Sequence, residues 1–293
     1  MNIHTIDLEL MGSSGTVAAY FIPSSLGHLI VDCGPSSTLP NLKAGIAALG
    51  YDIADCKHLL LTHIHLDHAG AAGTMARENP NLQVYVHRHG AIHLKNPERL
   101  LTSATRIYGA MMETLWGQFE PVPEAQLVVL EGLETLQISG LEVQAMYAPG
   151  HAIHHLVYAF GQDVFCGDVG GVRLQGSSHV IAPTPPPDID FAAWRKSLAQ
   201  LRALEPARIF LTHFGMYTDT VLHFAKLEQS LDILEQMSQK IIEAGGGADE
   251  IATAIGQYAK AEIQNKNLET KYALSTPYQM AANGLVRYWA KQK

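Results

Sequence analysis

The sequence predicts a layered α/β body followed by an all-helical carboxy-terminal appendage. Two patterns predict it. Up to about Tyr217, short apolar segments bounded by Gly, Pro, Asn or Asp alternate with stretches of helical periodicity; beyond it the strand signals stop and the helical spacing continues. Strands are expected at residues 16–22, 28–32, 59–62, 83–86, 127–129, 142–147, 156–160 and 209–212. Helices are expected between them at 38–49, 68–78 and 191–204. The stretch 96–116 differs: Asn96 and Pro97 form a cap and first-turn pair, and Leu100, Ala104, Ile107, Met111 and Leu115 follow on one stripe, so an inserted helix is expected over 96–117. In the tail, Phe224, Leu227, Leu231, Leu234 and Ile241 keep helical spacing, Gly245 to Gly247 interrupt it, and Ile251, Ile255 and Tyr258 resume it. A last helix is expected to open at Ser275 or Thr276 with Pro277 in its first turn. The division is therefore a body over 1–217 and a helical domain over 218–293, with the proline run at 182–188 read as a stiff surface loop.

Composition narrows the partners. Apolar residues make up 47% and charged residues 16% of 293, enough for one large core, so the chain is neither disordered nor fibrous. A net charge of −8 without a basic cluster disfavours nucleic acid, because phosphate binding needs grouped Lys and Arg. No apolar run is long enough to span a membrane, and acidic residues stand where a signal peptide would carry a basic head; a cytoplasmic protein with a small-molecule substrate is expected. Cys33, Cys56 and Cys166, odd in number and widely spaced, read as small core residues. Oligomeric state is left open.

The chemistry concentrates in LLLTHIHLDHAGAAG, residues 59–73. His63 and His65 are two apart on extended chain and project to the same side, while Asp67 and His68 follow the strand end and can swing round. Four costly polar side chains beside a buried strand call for a compensating partner, and a histidine and carboxylate set suits zinc, iron or manganese. Later segments offer similar groups: His151 after a Pro-Gly turn in APGHAIHH, Asp168 after the apolar run in DVFCGD, and His213 after that in IFLTHFG. Ligands from several strand ends on one sheet edge make an open, rigidly supported site.

This ordered set, His-x-His-x-Asp-His, then Pro-Gly-His, Gly-Asp and Thr-His, resembles the metallo-β-lactamase superfamily over about the first 217 residues, and within it the glyoxalase II-like hydrolases. The resemblance implies an αββα sandwich with a two-metal centre between the sheets. It implies that His63, His65 and His151 hold one divalent ion, that Asp67, His68 and His213 hold the other, and that Asp168 bridges both. Zinc is the expected metal, with iron or manganese as alternatives. The implied activity is a dinuclear hydrolase in which a metal-bound hydroxide attacks a small ester, thioester or lactone, with Asp67 accepting a hydrogen bond from the nucleophile or passing a proton to the leaving group. The alternative within the same fold is a mononuclear iron oxidoreductase resembling the persulfide dioxygenases; intact Asp67, His68 and His213 favour the hydrolase.

Neighbouring residues have bland and functional readings. His154, His155 and Asp32 either orient a ligand or satisfy local polar needs, and Arg173 either grips a substrate carboxylate or is a surface arginine. His87, His89 and His93 have no further partners in the pattern and are read as non-ligands. Tyr108, Met111, Met112 and Trp116 of the insertion either roof the cleft or pack a core. The basic residues Lys266, Lys271 and Arg287 align with no glutathione-binding motif, and Gly171 stands where the resembling lactonases carry a tyrosine, which weakens a lactone substrate.

Overall fold

A computed structural model describes residues 1–292. Strands β1 (His4–Asp7), β2 (Ala18–Ile22) and β3 (His28–Val31) lead through α1 (Leu39–Ala48) to β4 (Cys56–Leu60). Helices α2 (Leu66–Ala69) and α3 (Ala72–Glu78) precede β5 (Gln83–His87), and α4 (Arg88–Lys95), α5 (Glu98–Tyr108) and α6 (Met112–Trp116) precede β6 (Leu127–Leu130). Strands β7 (Thr135–Ile138), β8 (Leu141–Tyr147), β9 (Leu156–Phe160) and β10 (Asp163–Phe165) follow, then α7 (Phe191–Ala203), β11 (Arg208–Leu211) and β12 (Gly215–Tyr217). The tail holds α8 (Thr220–Glu243), α9 (Ala248–Glu262), α10 (Lys266–Ser275) and α11 (Tyr278–Lys291).

The strands form two six-stranded mixed sheets, β1-β2-β3-β4-β5-β6 and β12-β11-β10-β9-β8-β7. Period-two alternation makes them a sandwich. In β2, Ala18, Tyr20 and Ile22 face the second sheet, where they meet Tyr158, Phe165 and Phe210, while Ala19 and Phe21 face the other way into a second core with Leu42, Ile46 and Met75 of α1 and α3. Phe191, Trp194 and Leu198 of α7 and Phe224, Leu227 and Leu231 of α8 cover the outer face of the second sheet, completing an αββα order of layers. Pairs β3·β4, β4·β5 and β10·β11 are parallel, so their carboxyl ends open toward one edge. The three cysteines are free and buried, as the sequence reads them.

Several elements depart from the sequence pattern for visible reasons. The helix expected over 68–78 is broken, because Cys33 N and Gly34 N donate to His68 O and Ala71 N donates to Gly34 O, taking groups that would continue α2. The insertion is two helices with a turn at Gly109 (φ 51), and its stripe is only partly covered: Ala104 is buried, but Ile107 and Met111 are each 45% exposed. Strands β1, β7 and β12 lie at sheet edges and are too short to carry a readable pattern. Helices α4 and α10 bury few residues and go unread, and Pro277 caps α11 rather than entering it.

The proline run is a surface loop only in its second half, where Pro187 is exposed. Ala182, Pro183 and Thr184 are buried under α11, whose Gly284 sits so close that a Cβ there would lie 2.0 Å from Thr184 O. Arg287 Nε and Lys291 Nζ donate to Pro187 O at 3.3 and 2.8 Å, tying the last helix to the same loop.

Candidate metal centre

The seven residues singled out by the sequence converge at the carboxyl edge of the two sheets. His63 follows β4, His65 caps α2, and Asp67 and His68 lie in its single turn; His151 follows β8, Asp168 follows β10 and His213 follows β11. Ligand-type atoms of His63, His65 and His151 all lie within 4.8 Å of one another, as do those of His63, His68 and Asp168 and those of Asp67, His68 and His213. Asp168 stands between the two trios: Oδ2 is 3.4 Å from His151 Nε2, and Oδ1 is 3.3 Å from His68 Nε2 and 3.6 Å from His213 Nε2. His65 Nδ1 lies 2.9 Å from His63 Nε2 and 3.0 Å from His151 Nε2, and Asp67 Oδ2 lies 3.2 Å from His213 Nε2.

Hydrogen bonds on the outer ring nitrogens decide what the inner ones present. His151 Nδ1–H donates to Pro183 O at 2.9 Å, His213 Nδ1–H to Thr16 O at 2.8 Å, and His68 Nδ1–H to Asp32 Oδ2 at 2.8 Å. In the neutral rings each Nε2 is then a bare lone pair aimed inward. His68 Nε2, His213 Nε2 and Asp168 Oδ1 are buried and find no hydrogen-bond partner. Inward nitrogen lone pairs and carboxylate oxygens are what a cation satisfies, so the residues present fit bound metal.

Electrostatics separates the two trios. Burial, reinforced by the neighbouring histidines, holds His63 well below the usual imidazole range and lowers His65 to about 3; burial also lowers His151, against the pull of Asp168. In the other trio burial is outweighed: Asp168, Asp67 and Asp32 raise His68, and Asp168 and Asp67 raise His213. Against the opposing effect of burial, the charges of His68, His213 and His151 hold Asp168 well below the carboxylate range, and those of His68 and His213 bring Asp67 down to about 2. The first trio is thus a set of neutral nitrogen donors, and the second is rich in negative charge.

A layer of residues that the motifs do not name fixes these groups. Asp32, the residue after β3, has φ 54, a conformation side chains seldom adopt. Its Oδ2 takes His68 Nδ1–H and the Thr212 hydroxyl at 2.9 Å, while Oδ1 takes Thr62 N–H at 2.8 Å. The turn carrying Asp168 is held by three side chains: His155 Nε2 accepts from Val169 N at 3.3 Å, Trp194 Nε1 donates to Val169 O at 2.8 Å, and His223 Nε2 donates to Gly170 O at 2.8 Å. His155 and Asp32 thus take the orienting reading. Trp194 and His223 carried no sequence signal, since a helix-borne Trp or His has no motif around it.

Arg173 is engaged inside the protein, 2.8 Å from Asp219 and 4.2 Å above the Tyr217 ring, which leaves the substrate-gripping reading without support. His87 stacks on Tyr147 at 4.5 Å and accepts from His89 N at the start of α4; neither it, His89 nor His93 joins the converging groups. Lys271 lines a separate cleft with Asp7 and Phe214, and Arg287 faces the proline loop. Gly171 is dictated by packing: φ is 79, and a Cβ would lie 2.8 Å from Leu227 of α8, so a tyrosine has no room there.

Comparison with known proteins adds the lineage. The family profile described as the metallo-beta-lactamase superfamily matches residues 13–213. A metallo-beta-lactamase fold-containing protein of Sulfurisphaera tokodaii, ST1585, is 28% identical over 237 residues, covering 77% of this chain and 86% of that one. A hydroxyacylglutathione hydrolase of Rhodopseudomonas palustris (strain BisA53) is 26% identical over 248 residues, 82% of each chain. An atrochrysone carboxyl ACP thioesterase of Aspergillus fumigatus is 23% identical over 227 residues, 76% of this chain but only 43% of that enzyme. Among solved structures, the archaeal metallo-beta-lactamase superfamily protein ST1585 from Sulfolobus tokodaii superposes with TM-score 0.63 at 23% identity, covering 78% of this chain and 85% of that one. The metallo-beta-lactamase family protein TTHA1429 from Thermus thermophilus gives 0.63 at 19% identity, covering 99% and 93%, so the likeness of fold extends through the carboxy-terminal helices.

Proposed function

This chain belongs to the metallo-beta-lactamase superfamily, and from that premise we propose that it is a dinuclear metal-dependent hydrolase of a small thioester or ester. The observation that carries the reading is the convergence of the seven side chains with bare inward Nε2 lone pairs and an unpartnered Asp168 Oδ1. The thioester preference is supported by relatives named hydroxyacylglutathione hydrolase and ACP thioesterase.

In this reading His63, His65 and His151 hold one ion, Asp67, His68 and His213 the other, and Asp168 both. Bound divalent ions supply Lewis acidity and bring the pKa of a coordinated water from that of bulk solvent to about 7. The chain's own work is orientation. The bonds from His151, His213 and His68 to Pro183, Thr16 and Asp32 keep each ring's lone pair inward, so the site forms without rearrangement at the moment of reaction. Asp67, whose side chain is 22% exposed where the other ligand carboxylate is nearly enclosed, accepts a hydrogen bond from the attacking water. Water adds across the acyl carbon, the C–S or C–O bond breaks, and a carboxylic acid and a thiol or alcohol leave.

Elemental analysis of untagged protein purified without chelator tests the reading. About two zinc or manganese ions per chain, with turnover of a thioester panel that is lost on chelation, is the expected result. One iron per chain with oxygen consumption on a persulfide would move the assignment to sulfur oxidation.

A further inference from the structure

The inserted segment carries two hydrogen-bond donors that the fold itself leaves nearly idle. Trp116, at the end of α6, is 7% exposed, and its indole Nε1 is buried with no partner. Tyr108, at the end of α5, packs edge-on against Trp116 with ring centres 5.0 Å apart, and its hydroxyl finds only the thioether of Met280 at 3.1 Å. A thioether is a weak acceptor, and an unpaired buried N–H is costly; both donors would bond better to an oxygen that the described residues do not supply.

They pack in the outer core beside the metal centre, close enough for the Asp67 carboxylate to act on the Tyr108 phenol. On one side the chain after α6 rests on the segments that flank the Asp67–His68 turn: a Cβ on Gly117 would lie 2.8 Å from Ser37 N, and a Cβ on Gly73 would lie 2.0 Å from Glu120 O. On the other side the end of α10 reaches the His213 side, where Ser275 Oγ donates to Thr16 O, the carbonyl that also takes His213 Nδ1–H. Met280 stands in the first turn of α11, just beyond. The Tyr108–Met280 contact therefore ties the inserted helices to the first turn of α11. Burial, with the Asp67 carboxylate acting in the same direction, pushes the Tyr108 phenol up, so it stays protonated and remains a donor.

We propose that Tyr108 and Trp116 form a two-donor clamp for an oxygen on the acyl part of the substrate, and that the acyl groups taken by this site carry a carboxylate or keto oxygen away from the scissile bond. The proposal rests on the hydrolase reading for its kinetics but not for its structural test. An alkyl acyl chain would leave both donors unpaired, which is how a hydrogen-bonding site rejects an analogue lacking the group. Substrate oxygen replaces the Met280 sulfur as the acceptor of Tyr108 and gives Trp116 its first partner.

The structural test uses the metal-loaded protein with 15N-labelled tryptophan, titrated with glutarate, levulinate and pentanoate; Trp116→Phe assigns its indole signal. The expected result is a saturable shift of the Trp116 N–H with glutarate, levulinate or both, and none with pentanoate; which acid acts tells carboxylate from ketone. A Trp116 signal that stays put with both oxygen-bearing acids, or that pentanoate moves equally, overturns the proposal and leaves the indole to a buried water. The kinetic arm compares glutaryl, levulinyl and pentanoyl thioesters of one thiol. Tyr108→Phe and Trp116→Phe are each expected to lower kcat/KM for the oxygen-bearing acyl groups at least about tenfold more than for pentanoyl. Equal losses on all three would overturn it. If no thioester is turned over, the hydrolase reading fails, and the indole titration still decides the clamp.

Discussion

Asp32 shows how much of the site is set by a residue with no metal-ligand position of its own. Its carboxylate bonds His68, Thr62 and Thr212 from a strained left-handed backbone, joining three strand ends of the two sheets. Replacing it with alanine frees the His68 ring to rotate and removes the acceptor that fixes its tautomer. The expected cost is about 10–100-fold in affinity for the ion held by Asp67, His68 and His213. Chelator competition on Asp32→Ala measures it, and unchanged affinity would show that the pocket walls alone align the ring. Asp168→Ala is the harsher change, because the residue stands between both trios: metal content and activity should fall together, and a variant keeping both ions would remove the bridging role. At this scale the sequence was most legible where costly groups cluster. His63, His65, Asp67 and His68 announce themselves by spacing, whereas Asp32 reads equally well as a turn former, since its partners Thr62 and Thr212 are distant in sequence.

At the scale of elements, helices brace the turns that carry the site. Trp194 of α7 gives its indole N–H to Val169 O, in the turn that presents Asp168. Trp194→Phe keeps most of the packing but leaves that buried carbonyl unpaired, so a loss of about 1–3 kcal/mol in urea unfolding is expected, together with weaker metal retention. Equal stability would mean that Val169 O finds water. Such long-range bracing was invisible to periodicity, which read 191–204 as a helix but gave Trp194 no role. The reverse holds for the proline run: composition alone suggested a surface loop, yet Pro183 O is the acceptor for His151, and α11 lies on top of it. Local chemistry missed the burial of residues 182–184, because the covering helix comes about a hundred residues later in the chain.

For the whole molecule, the decisive feature is that the carboxy-terminal helices are docked through buried neutral histidines. His223 of α8 donates to Gly170 O and stacks on Tyr217, while His179, in the loop after the Asp168 turn, is enclosed by Tyr258 of α9 and Tyr272 of α10 with Nε2 unpartnered. Burial, helped by the charge of Lys226, lowers His179 to about 4, and burial lowers His223 to about 4 despite its bond to Gly170. Both folded values lie below the ordinary 6.5, so below that pH the unfolded chain binds protons that the folded chain refuses. Their contribution to stability is therefore complete above about pH 6.5 and falls as the pH drops toward about 4, by at most about 3 kcal/mol for each ring. Replacing His179 with leucine removes one of the two titrations without stranding a partner of Nε2. The difference in unfolding free energy between wild type and His179→Leu, followed from about pH 7 down to about 4, should move in favour of the variant by up to that amount. Because the metal-set histidines titrate in both proteins, their contribution cancels in the difference, and a difference that stays flat across the range would mean that His179 is as free to protonate in the folded protein as in the unfolded chain.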